Sequence, residues 1–271
     1  MLIDTHCHLA SRRYADMQQV REDSRALGVD FCISQGTHVK DWEETLQLAQ
    51  QMPDFIAPCL AIHPSDCTEV SEEDWAHLQQ LCRSHVGALA AIGETGLDYF
   101  WDAPEGWEED AYHARQHDFL ERHFALAEEL GLNISLHTRD KVGKGCACFE
   151  DAFAIARHFP KVRPVFHCFI GTQEQAERIF SELDGMISFT GIITFKKTEP
   201  QQAVAAWAPE DRIMVETDSP FLSPEPHRGE LNIPGSVSFV AQKLAQLRGV
   251  SPEHIAAITT ANARRFFRIS V

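Results

Sequence analysis

Short apolar runs alternate with longer amphipathic stretches along most of the chain. The short runs are rich in β-branched and aromatic residues, which is typical of buried strands. Eight runs predict strands, at residues 2–5, 31–34, 55–62, 89–92, 133–136, 164–166, 186–189 and 213–215.

The longer stretches between these runs have the periodicity of amphipathic helices. In the stretch 119–130, Leu120, Phe124, Ala127 and Leu130 recur every three or four residues and form one apolar stripe. The clearest helical segments cover residues 15–27, 42–51, 72–85, 118–130, 149–158 and 173–183.

Strands that alternate with helices predict an α/β fold with a parallel sheet and helical crossovers. A single (β/α)8 TIM barrel is the simplest way to close eight such strands, and an open doubly wound sheet is the alternative. The sequence contains no glycine-rich nucleotide-binding motif to favour the open sheet. No linker or fixed-period repeat divides it, so we expect residues 1–271 to form a single domain.

Composition and charge narrow the class of protein. The mean hydropathy is -0.24 and no apolar run is long enough to span a membrane, so no membrane association is expected. The N-terminus lacks the pattern of a signal peptide, and the eight scattered cysteines are typical of reduced thiols; both features predict a cytoplasmic protein.

The formal net charge of -16, without any Lys/Arg-rich run, argues against broad electrostatic binding of duplex DNA. A nucleic acid substrate would have to be held by a few local groups and bound metal. The acidic residues Glu105, Glu108, Glu109 and Asp110 are interpreted as a solvated loop.

Residues able to bind metal recur where predicted strands end. They are His6 and His8 after the first strand, Glu94 after the fourth, His137 after the fifth, His167 after the sixth and Asp218 after the eighth. In a barrel these ends surround one mouth, which is where active sites form. Each residue also has a structural interpretation, but their shared placement predicts a metal centre.

His6 and His8 form the sharpest local signal. Side chains alternate along a strand, so both imidazoles face one side and Cys7 faces the other. The same reasoning makes Cys168, next to His167, a packing residue. Taken alone, a His-x-His pair is a weak indication of metal binding and is more often two partly exposed histidines at a strand end.

Two carboxylates could serve catalysis as well as metal binding. Glu94 follows an apolar strand and offers two oxygens that can bridge two cations, although a helix-capping or salt-bridging acid is the alternative. Asp218 can both bind metal and accept a proton from water, although it could instead stabilise the turn before Pro220.

Three further residues are candidates for binding substrate. His63 ends a predicted strand, Arg139 follows His137 by two residues, and Arg228 lies in the proline-rich loop 219–234. Either guanidinium could clamp a phosphate, or could form a structural salt bridge. The remaining helical histidines are interpreted as surface or packing residues.

The motifs that contain these residues occur in an order and spacing that resemble the TatD-type metal-dependent deoxyribonucleases of the amidohydrolase superfamily. The resemblance extends over essentially the whole length. It is carried by Ile3-Asp4-Thr5-His6-Cys7-His8, Ala61-Ile62-His63-Pro64, Ile92-Gly93-Glu94-Thr95-Gly96-Leu97-Asp98-Tyr99, Leu136-His137-Thr138-Arg139-Asp140, His167-Cys168-Phe169-Ile170-Gly171, Glu216-Thr217-Asp218-Ser219-Pro220-Phe221-Leu222 and Arg228-Gly229-Glu230-Leu231-Asn232-Ile233-Pro234.

The resemblance implies a (β/α)8 barrel with two divalent cations bridged by Glu94. His6, His8 and Asp218 would hold one cation with it, and His137 and His167 the other, while Asp218 would act as general base on the water between them. The cations would be zinc, manganese or magnesium. Four histidines suit magnesium least well.

The activity implied by the resemblance is hydrolysis of phosphodiester bonds at DNA ends by a metal-activated water, expected here as 3'-5' exodeoxyribonuclease activity. The alternative is an ester or amide hydrolase, such as a D-aminoacyl-tRNA deacylase, because the same water can attack an acyl carbon. A catalytically silent binding barrel is a third possibility. No feature of the sequence indicates an obligate protein partner.

The sequence departs from the family pattern at two places. Ile170 stands where a small polar residue is usual, beside His167, and residues 141–148 fit the pattern poorly. Both departures affect loops beside the expected site and not its ligands.

Overall fold

The structure is a computed structural model that describes residues 1–141, 143 and 145–270. Within this part of the chain, eight strands form one parallel sheet in which each strand pairs with the next in sequence. The strands are β1 (Leu2–Cys7), β2 (Val29–Gly36), β3 (Ile56–Leu60), β4 (Ala91–Asp98), β5 (Ile134–Arg139), β6 (Pro164–Phe166), β7 (Met186–Phe189) and β8 (Ile213–Val215).

Each strand is followed by at least one helix, and the helices cover the outside of the sheet. They are α1 (Met17–Ala26), α2 (Trp42–Gln51), α3 (Glu72–Ser84), α4 (Glu109–Leu130), α5 (Ala147–Ala156), α6 (Gln173–Glu182), α7 (Glu199–Trp207), α8 (Val237–Arg248) and α9 (Pro252–Phe267). None of the described helices is long and apolar enough to cross a membrane.

The sheet closes between its first and last strands. Cys7 forms a parallel bridge with Ser219, just beyond β8. The Asp218 N–H donates to the His6 carbonyl at 2.9 Å, and the His8 N–H donates to the Ser219 carbonyl at 2.7 Å. The predicted (β/α)8 barrel is therefore confirmed, and the open sheet is excluded by these contacts.

The inside of the barrel is apolar toward the N-terminal ends of the strands. Side chains such as Ile33 and Met214 form a buried cluster there, and Phe266 and Phe267 of α9 pack against it. The Asn133 side chain at the start of β5 donates to the Phe266 carbonyl at 2.6 Å, which ties α9 to this end. This end of the barrel is therefore a packed core, and the polar chemistry is confined to the opposite end.

One expectation about a loop is partly wrong. The acidic residues Glu109 and Asp110 form the first turn of α4, where negative charge is favoured by the helix dipole. Glu105 and Glu108 precede the helix and are exposed, as expected. The apolar stripe predicted only the second half of this long helix. The first half was missed because it carries mostly polar residues.

A buried carboxylate supports the closure of the barrel. Asp4 of β1 accepts hydrogen bonds from the Thr217 N–H at 2.9 Å, the Thr217 hydroxyl at 2.6 Å and the His6 N–H at 3.2 Å. Its side chain is fully buried, and this burial raises the pKa of Asp4 well above its usual value. The Thr217 donors beyond β8 thus depend on a residue of β1.

Replacing Asp4 with alanine is expected to lower the free energy of unfolding by about 2–3 kcal/mol, because buried donors of Thr217 would lose their acceptor. The midpoint of urea unfolding measures this loss, provided that the dependence of the unfolding free energy on urea concentration is unchanged. Asp30→Ala, at a partly exposed position on β2, is the control. Equal midpoints for the two variants would contradict the role assigned to Asp4.

Candidate metal centre

A cavity of about 740 Å³ opens at the carboxyl ends of the strands. The sequence-predicted residues His8, Glu94, His137, His167 and Asp218 all line it. His6 lies below them and is fully buried. The barrel therefore brings together all six residues that were expected to bind metal, although they are separated by up to about two hundred positions in the sequence.

Glu94 lies at the centre of this group, and its two oxygens face different pairs of histidines. Oε1 is 2.8 Å from His137 Nδ1 and 2.7 Å from His167 Nε2. Oε2 is 3.2 Å from His6 Nε2 and 3.4 Å from His8 Nε2. A carboxylate arranged in this way can contribute one oxygen to each of two neighbouring cation sites.

Asp218 completes the side of the group near β1. Its Oδ1 is 3.3 Å from His8 Nε2 and 3.8 Å from His6 Nε2. The backbone at Asp218 is left-handed, with φ of 56°, a conformation that aspartate tolerates better than most residues. This turn after β8 directs the carboxylate into the cavity.

The spacing of the donor atoms fits metal ions. The facing nitrogens of His6 and His8 are 3.3 Å apart, and those of His137 and His167 are 3.2 Å apart. Two nitrogens bound tetrahedrally to one zinc ion would be about 3.4 Å apart, given a metal–nitrogen distance near 2.1 Å. Among the described residues, three groups of donors could hold an ion: His6 with Glu94 and His167, His6 with His8 and Asp218, and His63 with Glu94 and His137.

The electrostatics of the cavity also favour bound cations. Burial alone would raise the pKa of Glu94, but the charges of His167 and His6 hold it well below its usual value. Burial lowers the pKa of His8, but Asp218 and Glu94 together raise it to about 10. The ionised carboxylates are therefore stabilised by positive charge nearby. Divalent cations would supply this charge in place of the protons on the histidines.

Two acidic residues that sequence reasoning missed hold the histidines in place. Asp98 Oδ2 lies 3.1 Å from His137 Nε2, and Glu216 Oε1 lies 3.2 Å from His167 Nδ1. Glu216 also accepts a hydrogen bond from the Cys168 N–H at 2.7 Å. Metal-binding histidines usually donate their second N–H to such a carboxylate, which fixes the orientation of the ring.

The sequence did carry a signal for Asp98, which follows Glu94 by four positions. Even spacing places residues on one face of a strand, so Asp98 at the end of β4 could have been expected inside the barrel with Glu94. Glu216 lies beyond the end of β8, where strand alternation gives no such signal.

Gly96 allows β4 and β5 to approach each other next to His137. A Cβ atom at this position would lie 2.0 Å from the His137 carbonyl oxygen, and φ is 153°. No other residue type fits without moving β5, so the position of His137 depends on the absence of a side chain at position 96.

The three expected substrate-binding residues lie in different environments. His63 lines the cavity, and its Nε2 is 3.6 Å from Glu94 Oε1, so it is close enough to join a donor group. Arg139 also lines the cavity, with its guanidinium 3.7 Å from the centre of the Phe100 ring. Arg228 is exposed, does not line the cavity and lies 3.9 Å above the Phe195 ring.

The expectation for Cys168 is wrong. Its thiol was placed on the packing side by strand alternation, but Cys168 lines the cavity. The reason is that β6 ends at Phe166, and Cys168 has a left-handed backbone with φ of 46°. Its Sγ is 3.5 Å from the Thr190 hydroxyl. Cys7, by contrast, is buried on the far side of β1, as expected.

Comparison with known proteins identifies the family. The model for TatD related DNase matches residues 3–268. The chain belongs to this family. It is 35% identical to the uncharacterized metal-dependent hydrolase YabD of Bacillus subtilis over the full length of both chains. It is 31% identical to the 3'-5' ssDNA/RNA exonuclease TatD of Erwinia tasmaniensis, covering 99% of this chain and 100% of that one.

A solved structure agrees with this assignment. YjjV, a TatD homologue of Escherichia coli, superimposes with a TM-score of 0.87 at 25% identity, covering 99% of this chain and 98% of that one. Together with the donor clusters at the mouth of the barrel, these relatives make the protein a metal-dependent hydrolase.

Replacing Asp98 with asparagine is expected to weaken metal binding about 10- to 100-fold, because His137 would lose the carboxylate that orients it. Titration calorimetry of metal-stripped protein with manganese or zinc measures the change. The control is Asp102→Asn, at an exposed residue that pairs with Lys141 outside the cavity. Unchanged affinity in the Asp98 variant would show that His137 is held by other contacts.

Proposed function

We propose that this protein is a divalent-metal-dependent deoxyribonuclease that removes nucleotides from DNA ends in the 3'-5' direction. The observation that carries the proposal is the division of the two Glu94 oxygens between two pairs of histidines. In this proposal one barrel domain spans the chain and holds two cations, of zinc, manganese or magnesium.

The assignment of ligands follows the donor atoms around Glu94. His6, His8 and Asp218 would hold one cation with Oε2 of Glu94, because their atoms lie on that side. His137 and His167 would hold the other with Oε1. The exonuclease named TatD in Erwinia tasmaniensis, 31% identical to this chain, supports phosphodiesters in nucleic acid as substrates.

Bound divalent cations lower the pKa of water and neutralise charge on a phosphoryl group during its hydrolysis. The residues of the chain then have distinct tasks. Glu94 holds the two halves of the centre together, while Asp98 and Glu216 fix the orientation of the histidines. These contacts preorganise the site before substrate arrives, which favours catalysis.

Asp218 is proposed as the general base. Burial would raise its pKa, but the hydrogen bond from His8 outweighs this effect and lowers the pKa of Asp218 below its usual value. The carboxylate is therefore ionised at neutral pH and can accept a proton from the attacking water. Its partial exposure at the floor of the cavity leaves it accessible to that water.

Substrate binding is proposed for His63, Arg139 and Arg228. His63 and Arg139 line the cavity, so each can reach a phosphate near the centre. The exposed Arg228 would contact a more distant part of the substrate. Arginine suits this task because its planar guanidinium can bind two phosphate oxygens at once.

A second candidate is hydrolysis of an acyl ester, as in D-aminoacyl-tRNA deacylation. The cavity is also lined by Asp41 and Asp66, on the side of β2 and β3. These acids would repel an extended phosphate backbone but would suit the protonated amino group of an aminoacyl ester. The two proposals are therefore tested with two different substrates, single-stranded DNA and D-aminoacyl-tRNA.

The deciding experiment measures shortening of end-labelled single-stranded DNA by metal-stripped protein reconstituted with magnesium, manganese or zinc. Asp218→Asn is expected to lower turnover at least about 100-fold, because the general base is lost. Asp211→Asn is the matched control, since this exposed residue precedes β8 at the opposite end of the barrel.

Full activity of the Asp218 variant would refute its role as base. Absence of cleavage by the wild-type protein with every ion, together with release of the amino acid from D-aminoacyl-tRNA, would establish the acyl substrate instead. Labelling either end of the strand separately shows the direction of attack.

A further inference from the structure

Among the described residues, two aromatic side chains are largely exposed at the rim of the cavity and also line it. Trp101, which follows β4, is 55% exposed, and Phe221, which follows β8, is 46% exposed. Large aromatic side chains are normally buried, so aromatic rings that open into a polar site are candidates for ligand contact.

The ring of Trp101 lies close to the guanidinium group of an arginine. The guanidinium of Arg139 lies 3.7 Å from the centre of the Phe100 ring and 5.7 Å from the centre of the Trp101 ring. The two rings meet edge to face at 4.9 Å. Arg139 is thereby held in one orientation at the end of β5, two residues beyond His137, while much of Trp101 remains exposed.

Phe221 has the same kind of neighbour on the other side of the cavity. The guanidinium of Arg13 lies 4.9 Å from the centre of its ring, and the ring meets His8 edge to face at 6.0 Å. Among the described residues, neither Arg13 nor Arg139 forms an ion pair, so both guanidinium groups remain available to a phosphate.

The two aromatic–arginine pairs, Trp101 with Arg139 and Phe221 with Arg13, flank the candidate metal centre. Trp101 follows β4 and Phe221 follows β8. In a barrel of eight strands joined in order, β4 and β8 are diametrically opposite. A chain that crosses the mouth from one pair to the other therefore passes over Glu94 and its histidines.

We infer that these pairs are two nucleobase-stacking subsites that grip a single-stranded nucleic acid on either side of the bond to be cleaved. In each subsite the aromatic ring stacks on a base and the arginine binds the adjoining phosphate. The inference rests on the proposed nuclease function and assigns its substrate to single strands.

The charge of the protein favours this mode of binding. The chain carries a net charge of -16, and the cavity itself is lined by Asp41, Asp66, Glu94, Asp98 and Asp218. Stacking involves the neutral face of a base, so it provides affinity where electrostatic attraction to the backbone is weak. Bases within a duplex already stack on each other and cannot use such subsites without being unpaired.

Binding should accordingly depend only weakly on salt. Each phosphate neutralised on a single strand contributes about 0.7 to the slope of log affinity against log salt. The three arginines Arg13, Arg139 and Arg228, together with one phosphate at the metal centre, therefore allow a slope of about 2.8 at most. A protein that held its substrate mainly by the backbone would give a much steeper dependence.

The test is a cycle that changes Trp101 and the substrate base together. Affinity of the metal-loaded full chain for a short single-stranded oligonucleotide with cleavage-resistant phosphorothioate linkages is measured by fluorescence anisotropy, with the dye at the end far from the site. Trp101→Ala is expected to weaken binding about 10- to 100-fold. Replacing the base at a single position with an abasic residue should weaken binding by a similar factor.

The decisive result is the combination. At one position of the oligonucleotide, removal of the base should not weaken binding to the Trp101 variant any further, because the substitution and the abasic residue remove the same stacking contact. Phe221→Ala should show this coupling at a different position. Trp107→Ala is the matched control, since Trp107 is 37% exposed but does not line the cavity, and it should bind like wild type.

Additive losses at every position, a wild-type protein that fails to bind single strands, or a salt slope well above about 2.8 would overturn the inference. The outcome is separable from that of the proposed function. Coupling without metal-dependent cleavage would retain the subsites and refute the nuclease, whereas cleavage without coupling would do the reverse.

Discussion

The buried carboxylate of Glu94 is the group on which the site depends. It is only 3% exposed, so its charge is largely removed from water and must be compensated by its neighbours. Four imidazole rings contact its two oxygens at 2.7 to 3.4 Å. All four histidines come from strands other than β4 or from the residue just after one, so compensation of one charge links much of the barrel.

The surrounding residues make this arrangement rigid. Asp98 and Glu216 hold two of the rings from behind, and Gly96 lets β5 approach β4 closely enough for His137 to reach Glu94. Asp4 supports the segment that presents Asp218, through its hydrogen bonds with Thr217. A precise site is thus obtained from residues that do not themselves face the substrate.

Much of the fold was accessible from the sequence because its strands are short apolar runs with clear boundaries. β6, β7 and β8 have the bounds that were expected, whereas β4 runs on to Asp98, beyond the apolar residues. The predicted strand ended too early because it stopped where the polar residues begin. The carboxyl-terminal half of β4 lines the polar site and not the apolar core. The first half of α4 was missed for a related reason, since its exposed face carries many polar residues.

The placement of the six donor residues was predictable from strand ends, but contacts that depend on turns were not. Alternation gave the correct side for Cys7 inside β1 and the wrong side for Cys168 beyond β6, where the backbone is left-handed. The stack of Arg139 on Phe100 also joins the end of β5 to the loop after β4, and no local sequence pattern indicates such a contact. Sequence periodicity is informative only where the backbone is regular.

The seam between β1 and the segment after β8 has a consequence for biosynthesis. His6 and His8 emerge early from the ribosome, while Asp218 follows some two hundred residues later, and backbone hydrogen bonds join the two segments directly. A nascent or truncated polypeptide that lacks the last strand cannot assemble the full set of donor atoms. Hydrolytic competence is therefore acquired only when translation has delivered the final strand, so an incomplete chain is not yet a hydrolase.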